Sequence, residues 1–149
     1  MSVVSFGRDK SGLFAPAVDA YAQRLSHYTK LELLELPAAT STGLRAKQDE
    51  AATLKARLKG KSALVAMDER GKAFTSVELA TWLGKRLQLG TDLAFIIGGD
   101  EGLSESIRQE AVLTLALSTF TLPHRMARMV LVEQLYRAFT LLKGEPYHK

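Results

Sequence analysis

Five consecutive apolar residues, Leu93-Ala-Phe-Ile-Ile97, stand between Asp92 and the pair Gly98-Gly99. A run this short, with no polar residue in alternation, suits a strand covered on both faces of a sheet. Strands of that kind belong to α/β folds, in which helices cross over and pack on the two sides. The remainder of the chain is consistent with this. Val3–Phe6, Ala63–Met67 and Leu113–Leu117 are further short strand-like segments, and Leu31–Leu36, which stops at Pro37, is another strand candidate.

Helical spacing fills the intervals between them. Phe14, Val18, Tyr21 and Leu25 recur every three to four residues, with Pro16 confined to a first turn. Gly7–Gly12 and Pro37–Gly43 read as loops. Arg45–Lys59 is rich in helix formers and stops at Gly60, but its apolar face is limited to Ala51, Leu54 and Leu58, so a peripheral helix is expected. Asp68-Glu69-Arg70-Gly71 reads as a turn. Thr75 and Glu78 have capping-box spacing and open a helix that Gly90 closes. Ser104 caps a short helix over Glu105–Ala111, and the last helix covers His124–Leu142 before the tail Gly144–Lys149. With 149 residues and neither an internal repeat nor a linker, the expectation is one domain over 1–149, built on a mainly parallel sheet with helices on both faces.

Composition removes several chemistries. There is no cysteine, which excludes disulfides, thiolate metal sites and a cysteine nucleophile. The three histidines, His27, His124 and His148, lack the spacing of a zinc helix motif, so no metal is expected. The first residues do not join a basic region to a long apolar run, and no stretch approaches the roughly 20 apolar residues that span a bilayer. A soluble, cytoplasmic protein without a membrane partner is expected. Of the net charge of +4, most lies at the C-terminal end, where Arg125, Arg128, Arg137, Lys143 and Lys149 face only Glu133 and Glu145. Clustered basic residues favour a polyanion, although a solvated helix face has the same look.

In open parallel sheets, ligands bind beyond the carboxyl ends of the strands. Three strand ends carry distinctive loops: 67–71, 98–102 and 118–124. Glycine at 98, 99 and 102 suits close backbone approach. The spacing is neither a dinucleotide fingerprint nor a P-loop, and Asp100 and Glu101 would repel phosphate. A paired glycine at a strand end is also an ordinary tight turn.

Four segments carry more information together. Phe95–Leu103, Leu117–His124, Arg128–Ala138 and the closing Pro146-Tyr147-His148 resemble the RlmH family, SPOUT-class methyltransferases of the bacterial ribosome's large subunit. The likeness extends to the start of the chain, Val4-Ser-Phe-Gly-Arg8, and to the helix end between Tyr21 and Tyr28. It implies a C-terminal trefoil knot, an exception to the rule against knotted chains. It also implies S-adenosylmethionine as cofactor, a homodimer, and methylation of N3 of a pseudouridine in large-subunit rRNA within the assembled ribosome. By position, Met67, Gly98, Gly99, Leu117, Ser118, Thr119, Phe120, Thr121 and Leu122 would hold the cofactor.

The chemistry also needs an alignment of methyl donor and ring nitrogen, and loss of the N3 proton. His124, His148 and Glu133 are candidates to assist, and Tyr147 and Arg137 complete the candidate active site. Arg128, Arg137 and Lys149 suit phosphate contacts, and Tyr136 or Tyr147 could stack on an unpaired base. Each has a plainer role available: His124 as a cap, Glu133 as partner of Arg137 four residues on, Tyr147 and His148 as a frayed terminus. Two other functions stay open on the sequence: a methyltransferase of the same fold acting on tRNA or precursor rRNA, and a non-catalytic ribosome-associated RNA-binding protein.

Overall fold

The computed structural model describes residues 1–9 and 12–149. The expected Gly7–Gly12 loop falls partly on Lys10 and Ser11, which lie outside the described residues. The elements run β1 (Ser2–Phe6), α1 (Ala15–Leu25), β2 (Glu32–Leu36), α2 (Gly43–Leu58), β3 (Ala63–Ala73), α3 (Ser76–Gln88), β4 (Leu93–Ile97), α4 (Glu105–Glu110), β5 (Leu113–Ala116) and α5 (His124–Leu142). The five strands form one sheet in the order β2-β1-β4-β3-β5, and every pairing is parallel. Among the described residues, no helix is long and apolar enough to cross a membrane.

The two faces of the sheet are covered by different helices. Val3, Val65, Phe95 and Ile97 point to one side, against Val18 and Leu25 of α1, Leu79 and Leu83 of α3, and Leu131, Val132 and Leu135 of α5. Val4, Phe6, Ala66, Ala94 and Ile96 point to the other, against Ala51 and Leu54 of α2, with Leu103 and Ile107 at the start and middle of the α4 region. This is the alternation that strand geometry imposes, and both sets are apolar because both faces are covered. All five residues of β4 are buried, as its unbroken apolar run requires.

Local signals act where the sequence placed them. Thr75 Oγ1 accepts the Glu78 N–H at 3.2 Å while the Glu78 carboxylate accepts the Thr75 N–H at 2.7 Å, a complete capping box. Ser104 Oγ accepts the Ile107 N–H at 3.3 Å. Pro16 lies in the first turn of α1, where its missing N–H costs no helical bond.

Two expectations are corrected. Residues 68–71 are not a turn that ends β3; the strand continues to Ala73. Met67 and Lys72 both stand opposite Leu115, so the intervening residues form an outward excursion before pairing with β5 resumes. Gly71 makes the return possible, since a Cβ there would lie 2.7 Å from the backbone of Thr114. Charged residues and a glycine resemble a turn in sequence, but here they form a large bulge. Nor is α2 peripheral: Ala46, Glu50, Ala51 and Leu54 are buried against the sheet.

Candidate functional site

The excursion after Met67, the glycine loop after Ile97 and the segment after Ala116 converge beyond the carboxyl ends of β3, β4 and β5. They enclose a cleft of about 870 Å³. Met67, Ile97, Leu115, Leu117 and Leu122 supply its apolar lining. Gly98, Gly99, Ser118, Phe120 and Thr121 also line it, so of the residues expected to hold a cofactor only Thr119 does not. Phe120 is largely exposed, at 79%. His124, at the start of α5, reaches the same cleft.

The glycines here serve the loop's own backbone. A Cβ on Gly98 would meet the Gly102 carbonyl carbon at 2.6 Å and the Leu103 nitrogen at 2.8 Å. The loop closes through the Gly102 N–H donating to the Gly99 carbonyl at 2.9 Å, with Gly102 in the left-handed region at φ +77°. At Gly99, a Cβ would lie 2.6 Å from a carboxylate oxygen of Glu50, which reaches the loop from α2.

Charged side chains tie the three loops together. Arg70 donates through Nε and Nη2 to the two oxygens of Asp68, both at 2.9 Å, and its backbone N–H donates to the same carboxylate at 3.0 Å. Arg108 of α4 donates to Asp68 at 3.0 Å and to the Leu103 carbonyl at 2.8 Å. The Arg70 hydrogen bond, with others from its backbone and from Arg108, holds the Asp68 carboxyl at about 2, below the usual 3.8. Thr121 donates to Glu69 at 2.5 Å, joining the β5 segment to the β3 excursion. His124 Nδ1 lies 3.2 Å from Asp100, leaving a buried Nε2 without a hydrogen-bond partner among the described residues.

A second group of candidate residues assembles elsewhere. Arg137 pairs with Glu133, one turn earlier on α5, at 2.5 and 3.1 Å. Tyr147 of the tail donates to Glu133 at 3.0 Å and lies 3.2 Å from the hydroxyl of Tyr21. Its ring sits beneath the Arg137 guanidinium at 4.7 Å and edge-on to Tyr136 at 4.8 Å. Burial first, then the hydrogen bonds with Tyr21 and Glu133, raises the Tyr147 hydroxyl well above its usual range. His148 Nδ1 is 3.5 Å from Arg137. The tail is therefore not frayed. Tyr28 anchors it further by donating to Glu145 at 2.5 Å, a bond that pushes its own hydroxyl up to about 12.

Glu133, Arg137, Tyr147 and His148 thus come together, and His124 does not join them. Arg137 follows His124 by thirteen residues on one unbroken helix, an axial distance of about 20 Å at about 1.5 Å per residue. The cleft and the tail cluster occupy different parts of the chain. Of the cations considered for phosphate, Arg128 is paired with Glu35, Arg137 with Glu133, and Lys149 is exposed.

Sequence reasoning missed Glu50, Asp68 and Arg108. Glu50 had a signal, because Ala46, Glu50 and Leu54 are spaced by four and share one stripe of α2. Asp68 lay within the marked strand-end loop 67–71, but its pairing with Arg108 left no signal, the two being forty residues apart and joined only by the fold.

Residues 1–148 match a family described as a predicted SPOUT methyltransferase. A ribosomal RNA large subunit methyltransferase H from an Anaeromyxobacter species is 50% identical, the alignment covering 100% of this chain and 99% of that one. The protein of the same description from Gemmatimonas aurantiaca is 38% identical, again over 100% and 99%. Among solved structures, a probable methylase family protein from Haemophilus influenzae superposes with a TM-score of 0.61 at 15% identity, covering 99% of this chain and 70% of that one. That last likeness is one of fold.

Proposed function

The chain belongs to the RlmH family of SPOUT methyltransferases, and on that premise we propose that it methylates N3 of a pseudouridine in large-subunit rRNA within the assembled ribosome. Enzymes of the SPOUT class use S-adenosylmethionine. The observation that carries the reading is the full-length identity of 50% to a large-subunit rRNA methyltransferase.

The cleft fits such a cofactor. Its volume of about 870 Å³ falls within the roughly 300–1,000 Å³ of small-molecule sites. Apolar Met67, Leu117 and Leu122 are suited to a purine, and backbone groups of the 98–102 and 117–122 loops to its polar edges. Glu69, Asp100 and Glu101 also line the cleft, and carboxylates favour a positive sulfonium where they would repel phosphate. When bound, S-adenosylmethionine supplies the electrophilic methyl group.

The remaining work falls to side chains of this protein. The N3 proton must leave, and the tail cluster limits which groups accept it. Tyr147, with its raised pKa, stays protonated at neutral pH and serves as a donor. Glu133 is neutralised by Arg137. His148 Nδ1 faces a guanidinium that only donates, so that nitrogen carries the lone pair in the neutral ring. At the cleft, His124 Nδ1 faces the Asp100 carboxylate, which leaves Nε2 as its free acceptor. Within the tail cluster this leaves His148 as the proton acceptor, whereas the Nε2 of His124 is covered by the protein itself.

The cleft and the tail cluster of one chain stand too far apart for both to touch one nucleotide's reacting edge. A homodimer in which the tail cluster of one subunit meets the cleft of the other removes the difficulty, and the C-terminal segment forms the trefoil knot of the class. Cytoplasmic action follows from a ribosomal substrate. The test is methyl transfer from labelled S-adenosylmethionine to intact ribosomes, free large subunits and naked rRNA, with the label mapped by mass. Label on a large-subunit pseudouridine, strongest with intact ribosomes, is expected. Cofactor binding without label on any of the three would sink the reading and leave an RNA-binding protein or a methyltransferase of other RNAs.

A further inference from the structure

We propose that Glu50 is a positioning residue for the cofactor site: its buried carboxylate holds the glycine loop in its binding shape by accepting the Gly99 N–H. The inference rests on the functional reading above and adds to it a residue outside the cleft lining.

The geometry is that of a clamp. Glu50 lies on α2, on the sheet face opposite α5, and is only 8% exposed. Its Oε2 accepts the Gly99 N–H at 3.2 Å and its Oε1 accepts the Ala39 N–H at 3.3 Å. Ala39 belongs to the loop after β2, and Gly99 to the loop after β4. The strand between them, β1, ends at Phe6, and the N–H of Gly7 just beyond it donates to the Leu36 carbonyl at 2.9 Å. One side chain thereby bridges the loops that follow β2 and β4, the two strands flanking β1, at the ligand-binding edge of the sheet.

A charge is an expensive choice for this position. Ala46, Ala51 and Leu54 bury an apolar stripe on the same helix, and an apolar residue at 50 would continue it. Buried carboxylates are normally met by a cation. Among the described residues, none of the ion pairs includes Glu50, and its oxygens meet main-chain N–H groups instead. Those two donors would be left unsatisfied beside an apolar side chain. The carboxylate is explained by what it holds.

What it holds has no slack. The 98–102 loop is already closed by its own hydrogen bond and by the contact of Gly98 with Gly102 and Leu103. Gly99 has no side chain, and the space a Cβ would take is filled by the Glu50 carboxylate. The loop is therefore fixed on its outer side before any ligand reaches its inner side. A loop fixed in advance binds more tightly because less ordering remains to be done on binding.

The test uses the full-length protein, wild type and Glu50→Gln. The amide keeps the shape but offers one oxygen in place of two. Its NH2 group then faces one of the backbone donors. S-adenosylmethionine affinity, measured calorimetrically, is expected to fall about tenfold, the scale of one charge-assisted hydrogen bond. At saturating cofactor, kcat should change far less than the affinity does. Amide exchange across 98–102 in the cofactor-free protein should accelerate about as much as affinity falls, which a residue of general stability alone would not confine to this loop. Wild-type affinity with unchanged exchange at 98–102 overturns the proposal, as does acceleration spread evenly over the sheet. If the variant does not fold, exchange in the wild type decides: protected Gly99 and Ala39 amides without cofactor are expected, and a freely exchanging Gly99 refutes the clamp. Failure of the wild type to bind S-adenosylmethionine at all would overturn the functional reading, and this inference with it.

Discussion

Replacing Asp68 with asparagine tests whether the charged network at the cleft is part of the fold's stability. The Asp68 side chain is 8% exposed and receives three hydrogen bonds from Arg70 and one from Arg108. These hold its carboxyl at about 2 against an ordinary 3.8, a difference equivalent to roughly 2 kcal/mol. The Arg70 side chain is 67% exposed, and water screens its share, so the stabilisation left is about 1–2 kcal/mol. The sign follows from the folded carboxyl being the stronger acid. Stability is fully present above about pH 4, where the unfolded chain is also ionised, and is lost as pH falls through about 2. Urea unfolding of wild type and Asp68→Asn should therefore differ by about 1–2 kcal/mol at pH 7, hold that difference down to about pH 4, and lose it progressively below. A difference that persists unchanged to pH 2.5, or one below about 0.5 kcal/mol at pH 7, would refute the assignment of the shift to this network. Arg108 also donates to Leu103 at the end of the glycine loop, so the same variant should bind S-adenosylmethionine more weakly.

Gly98→Val places a side chain where the Gly102 and Leu103 backbones already stand, so the loop must open; cofactor affinity measured by calorimetry should fall about 5- to 150-fold, the effect of a clash of about 1–3 kcal/mol, and unchanged affinity would remove the loop from the site. Arg137→Ala frees Glu133 and uncovers Tyr147; methyl transfer to ribosomes should fall to near zero and ribosome binding weaken severalfold while cofactor affinity stays near wild type, and the reverse order of the two affinities would overturn the assignment of the tail cluster to RNA.

The sheet was legible chiefly through its central strands, which are apolar on both faces, a pattern that β4 shows in every residue. The helix starts at Thr75 and Ser104 were legible because capping chemistry is local. The course of β3 was not, because the stretch 68–71 looks like a turn unless the position of β5 is known. Resemblance supplied the lining of the cleft, and the structure brings all but Thr119 of that set to it. It could not supply the reason for the glycines. Sequence suggested room for a ligand, whereas the space at Gly98 and Gly99 is taken by the protein's own backbone and by Glu50. Partners such as Asp68 and Arg108 were invisible for the general reason that long-range ion pairs leave no spacing to read.

The rigidity of α5 turns its length into an argument about assembly. Leu131, Val132, Leu135, Ala138 and Phe139 are all buried and fix the helix to the sheet, α1 and α3. Its start at the cleft and its later half beneath the tail are therefore held apart, and no hinge within it can join them. If each active site combines the cleft of one subunit with the tail of the other, two inactive variants should rescue each other. A subunit disabled in the cleft by Gly98→Val still offers a working tail, and one disabled in the tail by Arg137→Ala still offers a working cleft. On random re-pairing of equal amounts, half the dimers are mixed, and each mixed dimer has one complete site of two. Activity on ribosomes should then rise from near zero to about a quarter of the wild-type value, the proportion that two-fold symmetry sets. If cleft and tail of the same chain served one site, every site in the mixture would be defective and no activity would return. The assay thus separates a shared site from a dimer that merely pairs two self-sufficient subunits, a distinction that sedimentation cannot make.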